Sequence, residues 1–223
     1  CESLDAVLEK NLHPVSIADL KSQLGKENTL VIDTRSPALF EAGFIPGSIF
    51  IGLDGSFAAM AGSVINPGSN LIVVADAGRE KEAISNLSRV GLENVAGYVE
   101  GGFTSWSEAA EPIDKITTIS AGDFEERFRY NSCTALDVRN PDEWVSGFVA
   151  GAKLITLGKL KNQMNEIDRN KPCFIYCVTG YRSLIAASLL KSYGYENVVN
   201  ITGGMMKIRK TSISIKQLTS RVN

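Results

Sequence analysis

Short apolar runs without internal alternation recur along the chain, most of them closed by a polar residue. Leu30-Val-Ile-Asp33 and Thr134-Ala-Leu-Asp137 are one pair of such runs, and Leu71–Ala75 and Phe174–Cys177 are another. Runs of this length predict strands buried on both faces. Asn94–Tyr98 and Asn197–Ile201 read as further strands, each followed by a Gly-Gly turn. Between the strands the spacing becomes helical. After Phe174–Cys177, Leu184, Ile185, Leu189 and Leu190 fall where a helix turns them toward a core. Ser16 and Ser120 stand where N-caps of short helices are expected. Alternation of buried strands with helices predicts an α/β fold, a parallel sheet with helices on both faces. In such sheets ligands bind at the C-terminal ends of the strands, so the end of Phe174–Cys177 is the place to look.

The pattern is written twice. Ser16-Ile-Ala-Asp-Leu returns as Ser120-Ala-Gly-Asp-Phe, and Asp33-Thr-Arg35 returns as Asp137-Val-Arg139, both 104 residues on. Phe40-Glu-Ala-Gly43 returns as Trp144-Val-Ser-Gly147, Gly91-Leu-Glu-Asn-Val as Gly194-Tyr-Glu-Asn-Val, and Gly101-Gly102 as Gly203-Gly204. A two-copy repeat of this period predicts tandem domains, because solenoid repeats are far shorter. The seam lies near Pro112 to Thr118. The expected division is a leader or linker at 1–13, one domain at 14–112, a second at 113–210, and a basic tail at 211–223.

Composition narrows the classes. A hydrophobic content of 44% with 22% charged residues is that of an ordinary globular protein. No apolar run is long enough for a membrane span, so no membrane partner is expected. The chain starts at Cys1 without an initiator Met, which fits a piece of a longer protein, a processed product, or a mature lipoprotein. Residues 1–112 hold 7 Lys and Arg against 15 Asp and Glu, a net of −8, whereas 113–223 hold 16 against 10, a net of +6. The basic half favours small anionic substrates or an acidic partner surface. No basic stripe interleaved with aromatics is present, so nucleic acid is not expected.

Four cysteines suit neither a disulfide scaffold nor a zinc knuckle. Cys173 and Cys177, on one extended strand, would lie roughly 13 Å apart, beyond disulfide reach. A reducing, cytoplasmic setting follows. The single histidine, His13, cannot build a multi-histidine metal site, and no metal or cofactor is expected in this chain.

The candidate chemistry sits in Cys177-Val178-Thr179-Gly180-Tyr181-Arg182-Ser183. A cysteine at a strand end, then a short Gly-containing loop, then a helix, makes an anion cradle. Backbone N–H groups from Val178 to Ser183 can point inward, and the helix adds its positive end. Such a field favours a thiolate, the form a sulfur nucleophile needs. Gly180 permits the tight backbone. Arg182 adds a cation at the rim, suited to a substrate oxyanion.

Asp137-Val-Arg139, Glu143-x-x-x-Gly147-x-Val-x-Gly-Ala152, Cys177-x-x-Gly-x-Arg-Ser183 and Gly203-Gly204 together resemble the rhodanese family across nearly all of residues 117–204. The resemblance implies a sulfurtransferase. Cys177 would take a sulfane sulfur from a small anionic or persulfide donor, hold it as a persulfide, and pass it to a thiol acceptor. Arg182 would share in catalysis, and Asp137 and Arg139 would brace the fold near the site. Two departures stand out. Phe44 and Phe148 replace a histidine common in the family, and the closing Trp106 of the first copy has no counterpart after Gly203-Gly204. There Met205, Met206 and a basic tail (Lys207, Arg209, Lys210, Lys216, Arg221) follow.

Aligning Gly78 with Gly180 places Ala75 opposite Cys177 and Glu80 opposite Arg182. The first copy is thus expected to be catalytically silent, since Ala75 cannot carry sulfur and Glu80 reverses the rim charge. A silent first copy before an active second one resembles known tandem rhodaneses. Asp33-Thr-Arg-Ser-Pro, Gly52-Leu-Asp-Gly-Ser-Phe57 and Gly97-Tyr-Val-Glu-Gly-Gly-Phe103 further resemble the tandem rhodanese region that follows metallo-β-lactamase-fold domains similar to persulfide dioxygenases. An upstream metallo-hydrolase domain would then carry the metal, with this region serving as a persulfide relay or binding module. Related phosphatases and arsenate reductases share the fold but use a loop one residue longer. The four residues Val178 to Tyr181 match the sulfurtransferase length instead.

Overall fold

The computed structural model describes residues 4–129 and 133–218, and the chain divides into two compact units between Lys115 and Ile116. The first unit runs through α1 (Leu4–Asn11), β1 (Pro14–Val15), α2 (Ile17–Gln23), β2 (Thr29–Asp33), α3 (Pro37–Ala42), β3 (Ile49–Phe50), α4 (Phe57–Val64), β4 (Asn70–Val74), α5 (Glu80–Ser88), β5 (Val95–Val99) and α6 (Gly102–Glu108). The second runs through β6 (Thr117–Ile119), α7 (Ala121–Phe128), β7 (Thr134–Asp137), α8 (Pro141–Val145), β8 (Phe148–Val149), β9 (Lys153–Leu154), α9 (Leu160–Gln163), β10 (Cys173–Tyr176), α10 (Tyr181–Ser192), β11 (Val198–Ile201), α11 (Gly204–Ile208) and β12 (Ile215–Lys216).

The repeat is legible in the sheets. The first is ordered β1-β5-β4-β2-β3 and the second β6-β11-β10-β7-β9, with every pairing in them parallel. In each, the chain leaves the two central strands in opposite directions. The crevice between β7 and β10 is therefore the switch point at which α/β sheets bind ligands.

Local chemistry explains the starts of the helices. Ser16 Oγ accepts the Asp19 N–H at 3.1 Å, and Ser120 forms a reciprocal capping box with Asp123. Along β10 the side chains alternate. Phe174 and Tyr176 pack with Phe124 of α7 and with Met205 and Ile208 of α11, while α10 covers the opposite face. All residues from Ser183 to Leu190 of α10 are buried, and that explains its almost continuous apolar sequence.

Two expected boundaries are corrected. Residues 4–11, assigned to a leader, form α1, which packs on α5. Leu8 is buried and Asn11 Nδ2 donates to the Glu93 carbonyl at 2.8 Å, so these residues belong to the first unit. The tail expected from 211 is folded on the second unit as far as it is described. Ile215–Lys216 pairs antiparallel with Phe148–Val149, the Ala150 N–H donates to the Ser214 carbonyl at 2.8 Å, and Ser212 bonds Glu125. Arg221 lies outside the described residues. Ile208, fully buried, occupies the place that Trp106 fills in the first unit. Among the described residues no helix is long and apolar enough to cross a membrane.

Candidate functional site

Cys177 follows the last residue of β10 and is buried. The loop after it is clasped from one side by the turn that opens α11. Met205 N–H donates to the Cys177 carbonyl at 2.7 Å, Met206 N–H to that of Val178 at 3.2 Å, and Gly203 N–H to that of Thr179 at 3.1 Å. In a trans peptide the following N–H points opposite to the carbonyl. Fixing three carbonyls outward therefore turns the amides of Val178, Thr179 and Gly180 inward. The Gly180 N–H does reach the Cys177 Sγ, at 3.2 Å. Gly203-Gly204 is needed for this clasp, because a Cβ on Gly204 would overlap the Cys177 carbonyl oxygen.

Gly180 has φ of 111° and caps α10, so the helix begins at Tyr181 with its amide end toward the loop. Ser183, fully buried on the first turn, has its hydroxyl 3.7 Å from the Cys177 Sγ, 3.0 Å from the Gly180 carbonyl and 2.7 Å from Asn200 Oδ1. Val178 and Tyr181 are partly buried and Thr179 is exposed.

Arg182 sits at the rim as a paired cation. Its Nη1 and Nη2 donate to Glu143 Oε2 and Oε1 at 2.7 and 2.8 Å. Glu143, together with the nearby Cys177 sulfur, holds the Arg182 proton more firmly than usual, and Arg182 in turn keeps the Glu143 carboxyl below the ordinary carboxylate range. Glu143 Oε2 also accepts the Asn140 N–H at 2.9 Å, capping α8. Below this pair Arg139 is buried, forked onto Asp137 at 2.7–3.0 Å with Nη2 on the Gly147 carbonyl at 2.7 Å. That brace ties the end of β7 to the turn after α8.

The sequence alone assigns no role to Glu143 or Asn200. Their signals were a Glu three residues after Asn140 at a helix start, and one polar residue inside the apolar run Val198–Ile201.

The other described cysteines lie elsewhere. Burial pushes the Cys173 thiol up to about 12 and raises that of half-buried Cys133, so both are protonated at neutral pH and poor nucleophiles. Cys133 borders a cavity of about 460 Å³ with Arg127 and Glu196, at the opposite strand ends from Cys177. No group of three or more His, Cys, Asp or Glu placed to hold a metal occurs among the described residues.

In the first unit Ala75 follows β4 as Cys177 follows β10. A Cβ on Gly102 would meet the Ala75 carbonyl at 2.8 Å, the counterpart of the Gly204 clasp. Arg79 is engaged with Asp54 and Glu82, and Glu80 opens α5 where Arg182 stands in α10. Leu39 takes the place of Glu143.

A sheet of this order, with a clasped loop at its switch point, defines a class that the sequence relationships identify. The rhodanese-like domain model matches residues 16–109 and again 120–211, and the chain belongs to that family. The uncharacterized protein YqhL of Bacillus subtilis is 40% identical over 85 residues, 37% of this chain and 68% of that protein. A sulfurtransferase of Allochromatium vinosum is 32% identical over 71 residues, 32% of this chain and 66% of that one. Among solved structures, a rhodanese-related protein from Thermoplasma volcanium matches with a TM-score of 0.42 at 27% identity, over 46% of this chain and 99% of that one.

Proposed function

We propose that the second unit moves a sulfane sulfur from an anionic or persulfide donor to a thiol acceptor through a persulfide on Cys177, and that the first unit is non-catalytic. The observation that carries this reading is the Gly180 N–H at 3.2 Å from the Cys177 Sγ, in a loop whose neighbouring amides face the same way. With thiosulfate, the Cys177 thiolate attacks the outer sulfur, the S–S bond of the donor breaks, and sulfite leaves with its electron pair. An acceptor thiolate then attacks the outer sulfur of the persulfide and regenerates the Cys177 thiolate. Inward amides receive the negative sulfur in both states. The paired Arg182 contributes a cation held in place at the rim. No cofactor enters these steps, and a reducing, cytoplasmic setting suits the free thiolate. A loop of four residues between Cys177 and Arg182 favours sulfur over a tetrahedral phosphate. The two units are proposed to serve persulfide handling by a metallo-β-lactamase-fold domain, on the strength of the first unit's motifs.

Mass spectrometry after thiosulfate treatment tests the central reading. One added sulfur should appear on the peptide carrying Cys177 and vanish in Cys177→Ser. An equal adduct on Cys133 or Cys173 would overturn the assignment.

A further inference from the structure

The cation of the nucleophile loop is already engaged, since Arg182 is forked onto Glu143. A cavity of about 310 Å³ beside Val178 is lined by Arg139, Glu143, Ser146, Met205, Met206 and Arg209. Glu143 and Arg139 are both in ion pairs. Arg209 has no carboxylate partner among the described residues. Its Nη2 is anchored on Ser146, 2.6 Å from the carbonyl oxygen and 3.2 Å from Oγ. A guanidinium carries five N–H donors in a rigid fork, so Nε and Nη1 remain for a ligand. The wall therefore carries one net positive charge, held at a fixed point. Its apolar part is Val178 with the flexible side chain of Met206, 59% exposed, and the edge of Met205, which is otherwise packed in the core at 2% exposure. This volume lies at the lower end of the range of roughly 300–1,000 Å³ for small-molecule sites and exceeds what inorganic thiosulfate needs.

We propose that Arg209 selects the substrate of the Cys177 site by binding the carboxylate of an organic persulfide, whose apolar body lies against Val178 and Met206. The proposal rests on the sulfur-transfer reading and names its substrate class. The Cys177 thiolate attacks the terminal sulfur of R–S–S⁻, the S–S bond breaks, and R–S⁻ leaves with its carboxylate unchanged. The first unit has a cavity of the same size, about 310 Å³, at the corresponding place beside Ala75 and Asp76, but Ser107 stands where Arg209 would be, and Phe103 and Thr104 replace the two methionines.

The test compares two donors of similar size, the persulfides of 3-mercaptopropionate and of 2-mercaptoethanol, which differ in the carboxylate. Arg209→Gln should lower the ratio of kcat/KM for the charged donor to that for the neutral one by about tenfold, mainly through KM. Arg209→Lys should recover part of the ratio. Met206→Asp, which leaves the Ser146 anchor untouched, should lower it in the same direction. An unchanged ratio in Arg209→Gln, with the native protein active, overturns the proposal and leaves sulfur transfer standing. Equal losses on both donors would assign Arg209 only to bracing Ser146, and overturn it as well. A native protein that forms no Cys177 persulfide with either donor overturns the sulfur-transfer reading and this proposal with it.

Discussion

The loops after β4 and β10 stand in the same sheet order, yet only one of them carries a cysteine. What they share is mechanical. Arg35 is forked onto Asp33 with Nη2 on the Gly43 carbonyl at 2.8 Å, and Arg139 is forked onto Asp137 with Nη2 on the Gly147 carbonyl at 2.7 Å. Both loops are also approached from below by a Gly-Gly turn. What they do not share is chemistry, with Ala75 for Cys177, Glu80 for Arg182 and Leu39 for Glu143. The Asp–Arg brace persists where there is no sulfur to serve, so it belongs to the fold. The site proper reduces to a nucleophile, a rim cation and the carboxylate that holds the cation.

The largest test is to move that set. In a Cys177→Ser background only the first loop can act, and Ala75→Cys alone should transfer sulfur poorly. Glu80 places a like charge beside the new thiolate and the donor, and the missing cation forgoes a charge-assisted hydrogen bond. Together these effects amount to about 3–4 kcal/mol, on the order of a hundredfold or more in rate. Adding Glu80→Arg should help, yet that Arg would face Leu39, so Leu39→Glu as a third change should help again. Thiosulfate turnover by the series checks this. Native-level turnover by Ala75→Cys alone would refute the account of the silent loop.

The clasp offers a second contrast. Gly204 has φ of 47° and lies against the Cys177 carbonyl, and Gly102 has φ of 61° and lies against that of Ala75. Alanine at either position must displace the loop it supports, costing about 1–3 kcal/mol of that unit's stability. Gly204→Ala should also cut sulfur transfer by about tenfold or more, because misplaced amides no longer face the sulfur. Gly102→Ala should leave turnover near native. Equal kinetic losses would mean that the two units are coupled.

Much of this is legible in the sequence alone. The two-copy offset, the strand leading into Cys177, and the exchange of Ala75 and Glu80 for Cys177 and Arg182 all rest on local pattern, which a repeat displays twice. Missed features depend on partners distant in sequence. The sequence reads Arg182 as a rim cation for a substrate oxyanion without showing its partner, because Glu143, 39 residues earlier, has to fold beside it. Residues 4–11 looked like a linker because their helix packs on α5, some 75 residues away. The residues past 211 read only as a basic tail because a two-residue strand carries almost no local signal. Its pairing with Phe148–Val149 decides its place.

The Arg182–Glu143 pair gives a smaller effect with a definite pH dependence. Glu143→Gln leaves the cation with a neutral partner. Both side chains are about a fifth exposed, and water screens the pair, so the loss should be about 1 kcal/mol. Arg182 depresses the folded-state pKa of Glu143. The unfolded chain therefore takes up the proton first, and the pair's contribution is full above the ordinary glutamate pKa of about 4.3. It is lost as pH falls through the lowered folded value. Urea unfolding of native protein and Glu143→Gln should thus differ at neutral pH and converge in acid. A gap that widened in acid would exclude the pair as its source.

The two units also close differently, and here the expected effect is smallest. The first unit ends on Trp106, whose Nε1 donates to the Pro112 carbonyl at 2.7 Å. The second has Ile208 in that place and adds β12, so Ile215 covers Gly147 closely enough that a Cβ there would lie 2.7 Å from its Cγ2. Ile215 thereby supports the turn whose carbonyl accepts from Arg139. Ile215→Val removes one methyl from a half-buried contact and should cost about 0.5 kcal/mol, the low end for this change in a core. The two tryptophans, Trp106 and Trp144, lie one in each unit, so fluorescence can separate the transitions. With Trp106→Phe, Trp144 emission in urea should show a slightly lower midpoint for Ile215→Val. With Trp144→Phe, Trp106 emission should show none. A shift confined to the Trp106 signal would place the work of β12 outside the second unit, contrary to its pairing with β8.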